Sequence, residues 1–357
     1  MSTNPALRRR QLATPSYFGG KLSLTDWISG TVARHVPRST WPQLTFIDAF
    51  LGGGAIGVWA KSAGFKKVQV NDCSARSCVI AQALLDNPDL KLSKTDLLYL
   101  NQPLPRNAPR LIESCYAPAV FSTRHAQRLD QWLYWAQQVQ HPTRKALYLI
   151  WIWHCINAFL CFPTSRGTSN GPYAGALDGL KSWDSINPKR FKDGTMDRLL
   201  TPPLAIQQAK LNTVNQGIFT GSPVEIYQAD AVALLPQLWA DIVYLDPPYT
   251  GTQRYEEGFA LVDKLLFSGQ QPISITDFSA SVDTLHALLD SVQHIPTWVL
   301  SYGNKAIDLE GLLAVVQSHA QNRQVFGYSK AYSHMRHVAK RQDNQELLII
   351  ATERGLP

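Results

Sequence analysis

The chain has 357 residues, of which 45% are hydrophobic and 17% are charged, and this composition excludes an intrinsically disordered protein. Its net charge of +7 favours an acidic partner, such as nucleic acid or an anionic surface. The five cysteines include no Cys-x-x-Cys pair, so we expect reduced thiols, a cytoplasmic setting and no metal site.

Two features open the chain. Residues 1–14 include three consecutive arginines and predict a flexible basic arm, and because no apolar run follows them we expect no signal peptide. Tyr17-Phe18-Gly19-Gly20-Lys21 comes next and predicts a glycine turn directly before a helix.

The first regular elements predict a β-α-β unit. Leu44 to Phe50 is an apolar run that leads into Gly52-Gly53-Gly54, which predicts a strand followed by a tight turn. Ala55 to Ala63 predicts a helix, and Lys67 to Val70 predicts a second strand with Asp72 just beyond its end. This alternation indicates an α/β domain with a parallel sheet.

The pattern becomes helical after about residue 100. Ser122 predicts the N-cap of a helix with one apolar face. Ala146 to Phe162 carries no formal charge, but it is short for a membrane span and contains polar residues, so we expect a buried helix. Residues 163–201 show little periodicity, and Pro202-Pro203 then predicts the start of another helix.

The α/β rhythm returns after residue 222. Further strands are predicted at residues 225–228, 241–245, 297–301 and 346–351. We therefore expect one Rossmann-like α/β domain made from residues 1–100 and 223–357, interrupted by a mainly helical insertion over residues 101–222.

The sharpest candidate site is Asp246-Pro247-Pro248-Tyr249, directly after a predicted strand. Open α/β sheets bind ligands at the carboxyl ends of their strands. An aromatic amine has two hydrogens, and the Asp246 carboxylate and the Pro247 carbonyl would supply two acceptors for them. Tyr249 would stack on the flat ring that carries the amine. The alternative is a Pro-Pro turn that only ends the strand.

Three other predicted strand ends carry residues suited to a ligand. The glycines at 52 and 54 would let the backbone approach a cofactor closely, although a plain turn into a helix is the alternative. Asp72 has the position at which nucleotide-binding sheets hold ribose hydroxyls, and Asp230 ends a third strand in the same way. Each aspartate could instead be a helix N-cap. Because all these sites follow strands, we expect them to form one crevice.

Together these motifs resemble the Dam-type DNA adenine-N6 methyltransferase family. The resemblance rests on Tyr17 to Lys21, Phe50 to Gly54, Asn71-Asp72, Asp246 to Tyr249, and the closing run Asn344 to Ile350. It covers nearly the whole chain, although the insertion matches poorly. It implies that S-adenosyl-L-methionine is the cofactor and that its methyl group goes to N6 of an adenine flipped out of double-stranded DNA. The insertion would then be the target-recognition region.

The resemblance also implies a role for individual positions. Asp246, Pro247, Pro248 and Tyr249 would be the catalytic residues. The cofactor would be held by Tyr17, Lys21, Phe50, Gly52, Gly54, Asp72, Asp230 and Asp246. Asp72 would hold its ribose and Asp230 would face its adenine. The family usually has tryptophan at the position of Tyr17.

Two basic regions are candidates for DNA contact. One is the insertion, and the other is the segment 321–342, whose basic residues alternate with aromatic ones and predict a hairpin on the phosphate backbone. The residues expected to contact DNA are Arg166, Lys189, Arg190, Lys330, Arg336, Lys340 and Arg341. The alternative is that these are ordinary solvated loops.

Other functions stay open at this point. An RNA adenine or DNA cytosine-N4 amino-methyltransferase would use the same two acceptors, and a catalytically silent DNA-binding relative would keep the same fold. A Rossmann oxidoreductase is disfavoured, because the glycine cluster lacks the second spaced pair of a dinucleotide fingerprint. We expect a cytoplasmic monomer that binds double-stranded DNA and no membrane, with a cognate restriction endonuclease as a second candidate partner.

Overall fold

The computed structural model describes residues 4–17, 19–117, 120–159, 203–249, 255–267, 282–331 and 344–353. Within these ranges seven strands form one sheet, in the order β3-β2-β1-β4-β5-β7-β6. The strands are β1 (Thr45–Asp48), β2 (Lys67–Asn71), β3 (Val224–Tyr227), β4 (Ile242–Leu245), β5 (Thr297–Gly303), β6 (Arg323–Ala331) and β7 (Gln345–Glu353).

The direction of the strands decides where a ligand can bind. β1 to β5 are parallel to one another, whereas β7 is antiparallel to both β5 and β6. The chain runs outward from β1 to β3 and resumes on the other side of β1 with β4 and β5. This reversal creates a switch point between β1 and β4, where open α/β sheets form a ligand crevice. The predicted Rossmann-like sheet is confirmed.

Helices cover both faces of the sheet and form a second layer of structure beside it. They are α1 (Pro5–Gln11), α2 (Thr25–His35), α3 (Ala55–Ala63), α4 (Ala75–Ile80), α5 (Lys94–Leu100), α6 (Leu111–Tyr116), α7 (Thr123–Gln137), α8 (Pro142–Phe159), α9 (Pro203–Asn215), α10 (Ala231–Leu234), α11 (Tyr255–Leu266), α12 (Val282–Ser291) and α13 (Leu309–His319). A π-helical turn, Ala81–Leu85, continues α4.

Burial on both faces explains why the central strands read as continuous apolar runs. One face packs Phe46 and Tyr244 against α2 and α3, and the other packs Trp298 against α12 and α13. All four residues of β1 and of β4 are buried. These strands are therefore rigid supports for the loops that leave their carboxyl ends.

The helical lobe has its own aromatic core. Trp132 of α7 packs against Trp151 of α8 with ring centroids 4.7 Å apart, and both side chains are buried. Ser122 caps α7 by accepting a hydrogen bond from the His125 amide, as predicted. His154 of α8 is also buried and donates from Nε2 to the Ala13 carbonyl at 2.8 Å, so it belongs to the core.

The uncharged run in α8 was predicted to be a buried helix, and its described residues confirm this. None of the helices that the structure describes is long and apolar enough to cross a membrane. Residues 160–202, in the middle of the predicted insertion, lie outside the described ranges. The domain boundaries after residues 100 and 222 stay a prediction.

The prediction of a flexible arm over residues 1–14 was wrong for the part that the structure describes. Asn4 accepts hydrogen bonds from the amides of residues 6 and 7 and caps α1, whose first residue is Pro5. Gln11 is buried and donates from Nε2 to the Ala55 carbonyl at 2.8 Å. The Asn-Pro pair is a helix start signal, which the following run of arginines obscured.

Candidate active site

Asp246 lies at the switch point of the sheet. β4 ends at Leu245, and residues 246–249 leave its carboxyl end beside the loop that follows β1. The Ala49 amide donates to the Tyr244 carbonyl at 3.0 Å, which ties the two strand ends together. The glycine loop and Asp246-Pro247-Pro248-Tyr249 therefore lie side by side at one edge of the sheet, as the sequence predicted.

Both oxygens of the Asp246 carboxylate bind groups of the protein. Lys21 Nζ lies 2.7 Å from Oδ2, and the Tyr249 hydroxyl lies 2.8 Å from Oδ1. Burial raises the pKa of Asp246 to about 6, against the opposing charge of Lys21 and with a further rise from Glu346. The carboxylate is thus charged near neutral pH, but it gains a proton more readily than an exposed aspartate does.

Glu346 of β7 belongs to the same cluster, although sequence reasoning treated it only as part of a strand. Its Oε1 accepts from the Tyr249 hydroxyl at 2.6 Å and from the Ser301 hydroxyl, and lies 3.5 Å from Lys21 Nζ. The residue is fully buried, and Oε2 has no hydrogen-bond partner among the described residues. The sequence signal for this residue was a glutamate in a strand, β7, whose other residues are mainly apolar.

The antiparallel direction of β7 explains how Glu346 reaches the site. Its Cα partner in β5 is Gly303, at the carboxyl end of that strand. The start of β7 therefore lies at the same edge as the ends of the parallel strands. The sequence predicted this strand but not its direction, so the position of its glutamate could not be derived.

The ring of Tyr249 is held by β5. A Cβ atom on Gly303 would lie 2.7 Å from Cδ2 of this ring, so only glycine leaves room for it. Tyr302 packs beside it with ring centroids 4.9 Å apart. Burial, followed by the charges of Asp246 and Glu346, raises the pKa of Tyr249 well above its usual value, so the hydroxyl keeps its proton and donates.

The glycine loop after β1 has the backbone that only glycine adopts without strain. Gly52 has φ of 51° and Gly54 has φ of 78°. The Gly52 amide donates to Asp72 Oδ2 at 2.8 Å, which joins the loop to the end of β2. A Cβ atom on Gly53 would lie 2.5 Å from the Tyr17 Cβ, so the segment before Lys21 packs directly on this loop.

Tyr17 packs on the glycine loop, and Phe259 and Arg76 pack in turn against Tyr17. The Tyr17 ring lies 4.6 Å from the Phe259 ring of α11, and the Arg76 guanidinium stands 4.5 Å from the same Phe259 ring. Arg76 also pairs with Asp263 at 2.5 Å. Arg76 and Phe259 were missed, because no helix was predicted after residue 249 and a lone arginine in α4 carried no signal.

The two acidic strand ends differ in what they bind. Asp72 accepts from the amides of Gly52 and Ser74, each at 2.8 Å, and Ser74 rather than Asp72 caps α4. Asp230 accepts from the Ala233 amide at 3.1 Å and is the N-cap of α10. The cap alternative is thus wrong for Asp72 and correct for Asp230. A role in holding a cofactor stays a prediction for both.

Asp48 is a second acidic residue that sequence reasoning missed. It ends β1 and is buried; the backbone amides of Phe50 and Gly57 approach its carboxyl group, and no side chain among the described residues hydrogen-bonds to it. Burial raises its pKa well above the usual value, and the charge of Asp246 raises it further. A buried acid without a side-chain partner, so close to Asp246, favours a positively charged group beside it.

Among the predicted DNA contacts, Lys330 alone lies within the described residues. It is exposed near the end of β6, and its Cα partner in β7 is Glu346. The connection from β6 to β7 therefore leaves and re-enters the sheet at the same edge as Asp246. Arg166, Lys189, Arg190, Arg336, Lys340 and Arg341 lie outside the described residues.

Comparison with known proteins identifies the family of this chain. Residues 17–110 and 184–302 match the family model for the D12 class N6 adenine-specific DNA methyltransferases, and these segments make up more than half of the chain. The chain belongs to this family. It is therefore an adenine-specific DNA methyltransferase, and the resemblance inferred from its motifs is confirmed.

Two curated relatives of this D12 methyltransferase are similar over most of their length. Type II methyltransferase M2.HphI from Haemophilus parahaemolyticus is 24% identical over 302 residues, which cover 81% of this chain and 82% of the relative. Type II methyltransferase M.NlaIII from Neisseria lactamica is 25% identical over 321 residues, which cover 85% and 86%. The similarity thus spans both parts of the catalytic sheet.

Proposed function

We propose that this enzyme takes the methyl group of S-adenosyl-L-methionine and transfers it to N6 of an adenine flipped out of double-stranded DNA, with Asp246 as the acceptor of the target amine. The observation that carries the proposal is the position of the Asp246 carboxylate. It lies at the switch point, between Lys21 and Tyr249, and opposite the glycine loop. A substrate amine and a donor bound on that loop would meet there.

The residues of the crevice fit a methyl donor that carries positive charge. Asp48 is a buried acid without a side-chain hydrogen-bond partner in the described residues, and it directly precedes a loop whose glycines let a ligand approach the backbone. An ammonium group of the donor would supply a cationic partner for Asp48. Asp72, oriented by the Gly52 and Ser74 amides, would hold the ribose, and Asp230 would face the adenine.

Tyr17, Lys21 and Phe50 would complete the donor site. Tyr17 packs on Gly53 and against Phe259, so its ring already borders the loop. Lys21 is buried beside Asp246 and counters its charge. When bound, S-adenosyl-L-methionine supplies an electrophilic methyl group, and the protein fixes the geometry of the attack.

The chemistry at the amine follows from hydrogen bonding. The lone pair of an adenine amine is spread into the ring, which makes the nitrogen a weak nucleophile. Hydrogen bonds from its two hydrogens to the Asp246 carboxylate and the Pro247 carbonyl would draw electron density back onto the nitrogen. Because these acceptors are fixed before the reaction, they need little reorganisation. Asp246 need not be a strong base, since the proton can leave after the methyl group has transferred.

The target base must leave the duplex to reach Asp246. Flipping costs a few kcal/mol, which the protein recovers by stacking and by hydrogen bonds to the base. Tyr249 would stack on the flipped adenine, supported from behind by Gly303 and Tyr302. Pro248 would keep the backbone between Asp246 and Tyr249 rigid.

DNA would contact two basic regions. The first is the connection from β6 to β7, with Lys330, Arg336, Lys340 and Arg341, since both of its ends lie at the edge that carries Asp246. The second is the insertion over residues 101–222, with Arg166, Lys189 and Arg190, which we propose as the target-recognition region of a catalytic domain formed by residues 1–100 and 223–357.

Binding at different salt concentrations tests the first region. Replacing Lys340 and Arg341 with glutamine should reduce the slope of log affinity against log salt by about two, because each lost phosphate contact lowers it by about one. Lys91→Gln with Lys94→Gln is a control of equal charge in neither region. An unchanged slope in the first pair would remove these residues from the interface.

Methyl transfer by an Asp246→Ala variant tests the site itself. We expect transfer to DNA to be abolished, while the circular dichroism spectrum is retained. Asp89→Ala, an exposed aspartate, is the matched control and should keep full activity. A folded Asp246→Ala protein with full activity would disprove the assignment.

Parallel assays on matched DNA and RNA would define the substrate. Modified-base sequencing of DNA from cells that express the enzyme would define the recognition sequence.

The Type II names of the two relatives support a partner as well as a substrate. We propose that the enzyme acts in a restriction-modification system, as a monomer in the cytoplasm, and protects the sites that a cognate endonuclease cuts. Digestion of DNA from cells that express the enzyme, with restriction endonucleases that cut the sites it methylates, tests this directly.

A further inference from the structure

The carboxylate proposed to receive the target amine is already engaged. Oδ1 of Asp246 accepts from the Tyr249 hydroxyl and Oδ2 binds Lys21 Nζ. An amine that approaches the carboxylate along the direction of either donor must displace it. If the displaced donor found no other acceptor, its buried polar group would lose a hydrogen bond and the amine would bind poorly.

Glu346 is a second acceptor within reach of both donors. The Tyr249 hydroxyl lies 2.6 Å from Oε1, slightly closer than it lies to Asp246. A phenol has one hydrogen, so it can serve only one of the two carboxylates fully, and a rotation of the hydroxyl moves it between them. Lys21 Nζ lies 3.0 Å from the Gly19 carbonyl and 3.5 Å from Glu346 Oε1, so its three hydrogens face three acceptors.

Glu346 also has unused acceptor capacity. A carboxylate offers about four lone-pair sites, and Oε2 is buried without a hydrogen-bond partner among the described residues. The Ser301 hydroxyl donates to Oε1 from β5 and fixes the side chain. Because β7 is paired with β5 and β6 on its two sides and Glu346 lies opposite Gly303, the residue can receive a donor without any movement of the backbone.

We propose that Glu346 is a positioning residue that takes over the Tyr249 hydroxyl and the Lys21 ammonium when the target amine binds Asp246. The proposal rests on the proposed role of Asp246. Glu346 touches neither the target base nor the methyl donor. It accepts hydrogen bonds from the two displaced groups, so that Asp246 can bind the amine and Tyr249 can stack on the base.

A Glu346→Gln variant tests the acceptor. The amide keeps the shape of the side chain but accepts more weakly, so Tyr249 and Lys21 stay on Asp246. We expect the single-turnover rate at saturating DNA to fall about 10- to 100-fold, the range for a hydrogen bond to a charged group, with unchanged donor affinity. Glu353→Gln, on the same strand but paired with Arg323 away from the site, should keep the wild-type rate.

The loss should depend on Tyr249. In a Tyr249→Phe background one of the two donors is absent, so we expect Glu346→Gln to have a smaller effect than in the wild type. A folded Glu346→Gln protein with the wild-type rate would overturn the proposal. So would a loss of the same size in both backgrounds, since that would make Glu346 a merely structural residue.

The pH dependence of Tyr249→Phe gives a second test that does not need Glu346→Gln to fold. The groups among the described residues that face Asp246 are Lys21, Asp48, Tyr244, Tyr249 and Glu346. The Tyr249 hydroxyl lowers the pKa of Asp246, so removing it raises that pKa in the free enzyme. The acidic limb of the rate at low DNA concentration, which reports the free enzyme, should move to higher pH.

At saturating DNA the two proteins should share one acidic limb, because the hydroxyl has already left Asp246 in the complex. An equal shift of both limbs would show that the hydroxyl stays on Asp246 and would overturn the proposal. Failure of the proposed function is a different result. In that case Asp246→Ala would remain active, whatever Glu346→Gln and Tyr249→Phe do.

Discussion

Replacing Gly303 with alanine should inactivate the enzyme without touching any polar group of the site. The added Cβ would lie 2.7 Å from Cδ2 and 3.1 Å from Cε2 of the Tyr249 ring. Carbon atoms pack at about 3.5–4.0 Å, so the ring must move by about 1 Å. Its hydroxyl, 2.8 Å from Asp246 and 2.6 Å from Glu346, would be pulled out of place. A displacement of that size lowers a rate by about 100-fold.

A single-turnover assay at saturating donor and DNA measures this loss, and calorimetry measures donor binding. We expect the rate to fall about 100-fold and donor affinity to stay within about twofold, because the Tyr249 ring packs on Gly303 and Tyr302 of β5. Gly30→Ala is the matched control. A Cβ on Gly30 would meet nothing within 4 Å, so this change in α2 should stabilise the protein by about 1 kcal/mol and leave the rate unchanged. Wild-type transfer by Gly303→Ala would refute the placement of the Tyr249 ring.

Three further outcomes are expected. Gly53→Ala should weaken donor binding at least tenfold, since its Cβ would lie 2.5 Å from the Tyr17 Cβ; equal affinity in a titration would contradict this. Asp48→Asn should weaken donor affinity about tenfold, because it removes the carboxyl group proposed to meet the ammonium group of the donor; unchanged affinity in a titration would contradict that role. Burial lowers the pKa of His154 from 6.5 to about 4, so stability should fall by about 3 kcal/mol as the pH drops through this window; denaturation of His154→Gln should show a flatter profile.

Much of the fold followed from local patterns in the chain. The run after residue 44, the glycine triplet and Ala55 to Ala63 each formed the predicted element, because a strand buried on both faces is apolar throughout and a glycine turn has few alternatives. The N-terminal helix was missed because its arginines suggested a solvated arm, although Asn4 and Pro5 carried the opposite signal.

The site was predictable only where a motif followed a strand. Asp246, the glycine loop and Asp72 could be brought together because the carboxyl ends of parallel strands share one edge. Glu346 and Gly303 could not, since their position depends on β7 running antiparallel to β5, and no local pattern indicates strand direction. Phe259 and Arg76 likewise meet only through the packing of distant helices.

The last strand inserts between β5 and β6 and completes the polar cluster around Asp246. During synthesis, the ribosome releases Lys21 first, then Asp246, and Glu346 only after nearly all of the catalytic sheet has emerged. A nascent chain can therefore form its glycine loop early, yet lack the Glu346 carboxylate that binds Tyr249 and Lys21. Domains fold largely as they emerge, so competence for methyl transfer should appear abruptly, when β7 docks, rather than increase with chain length.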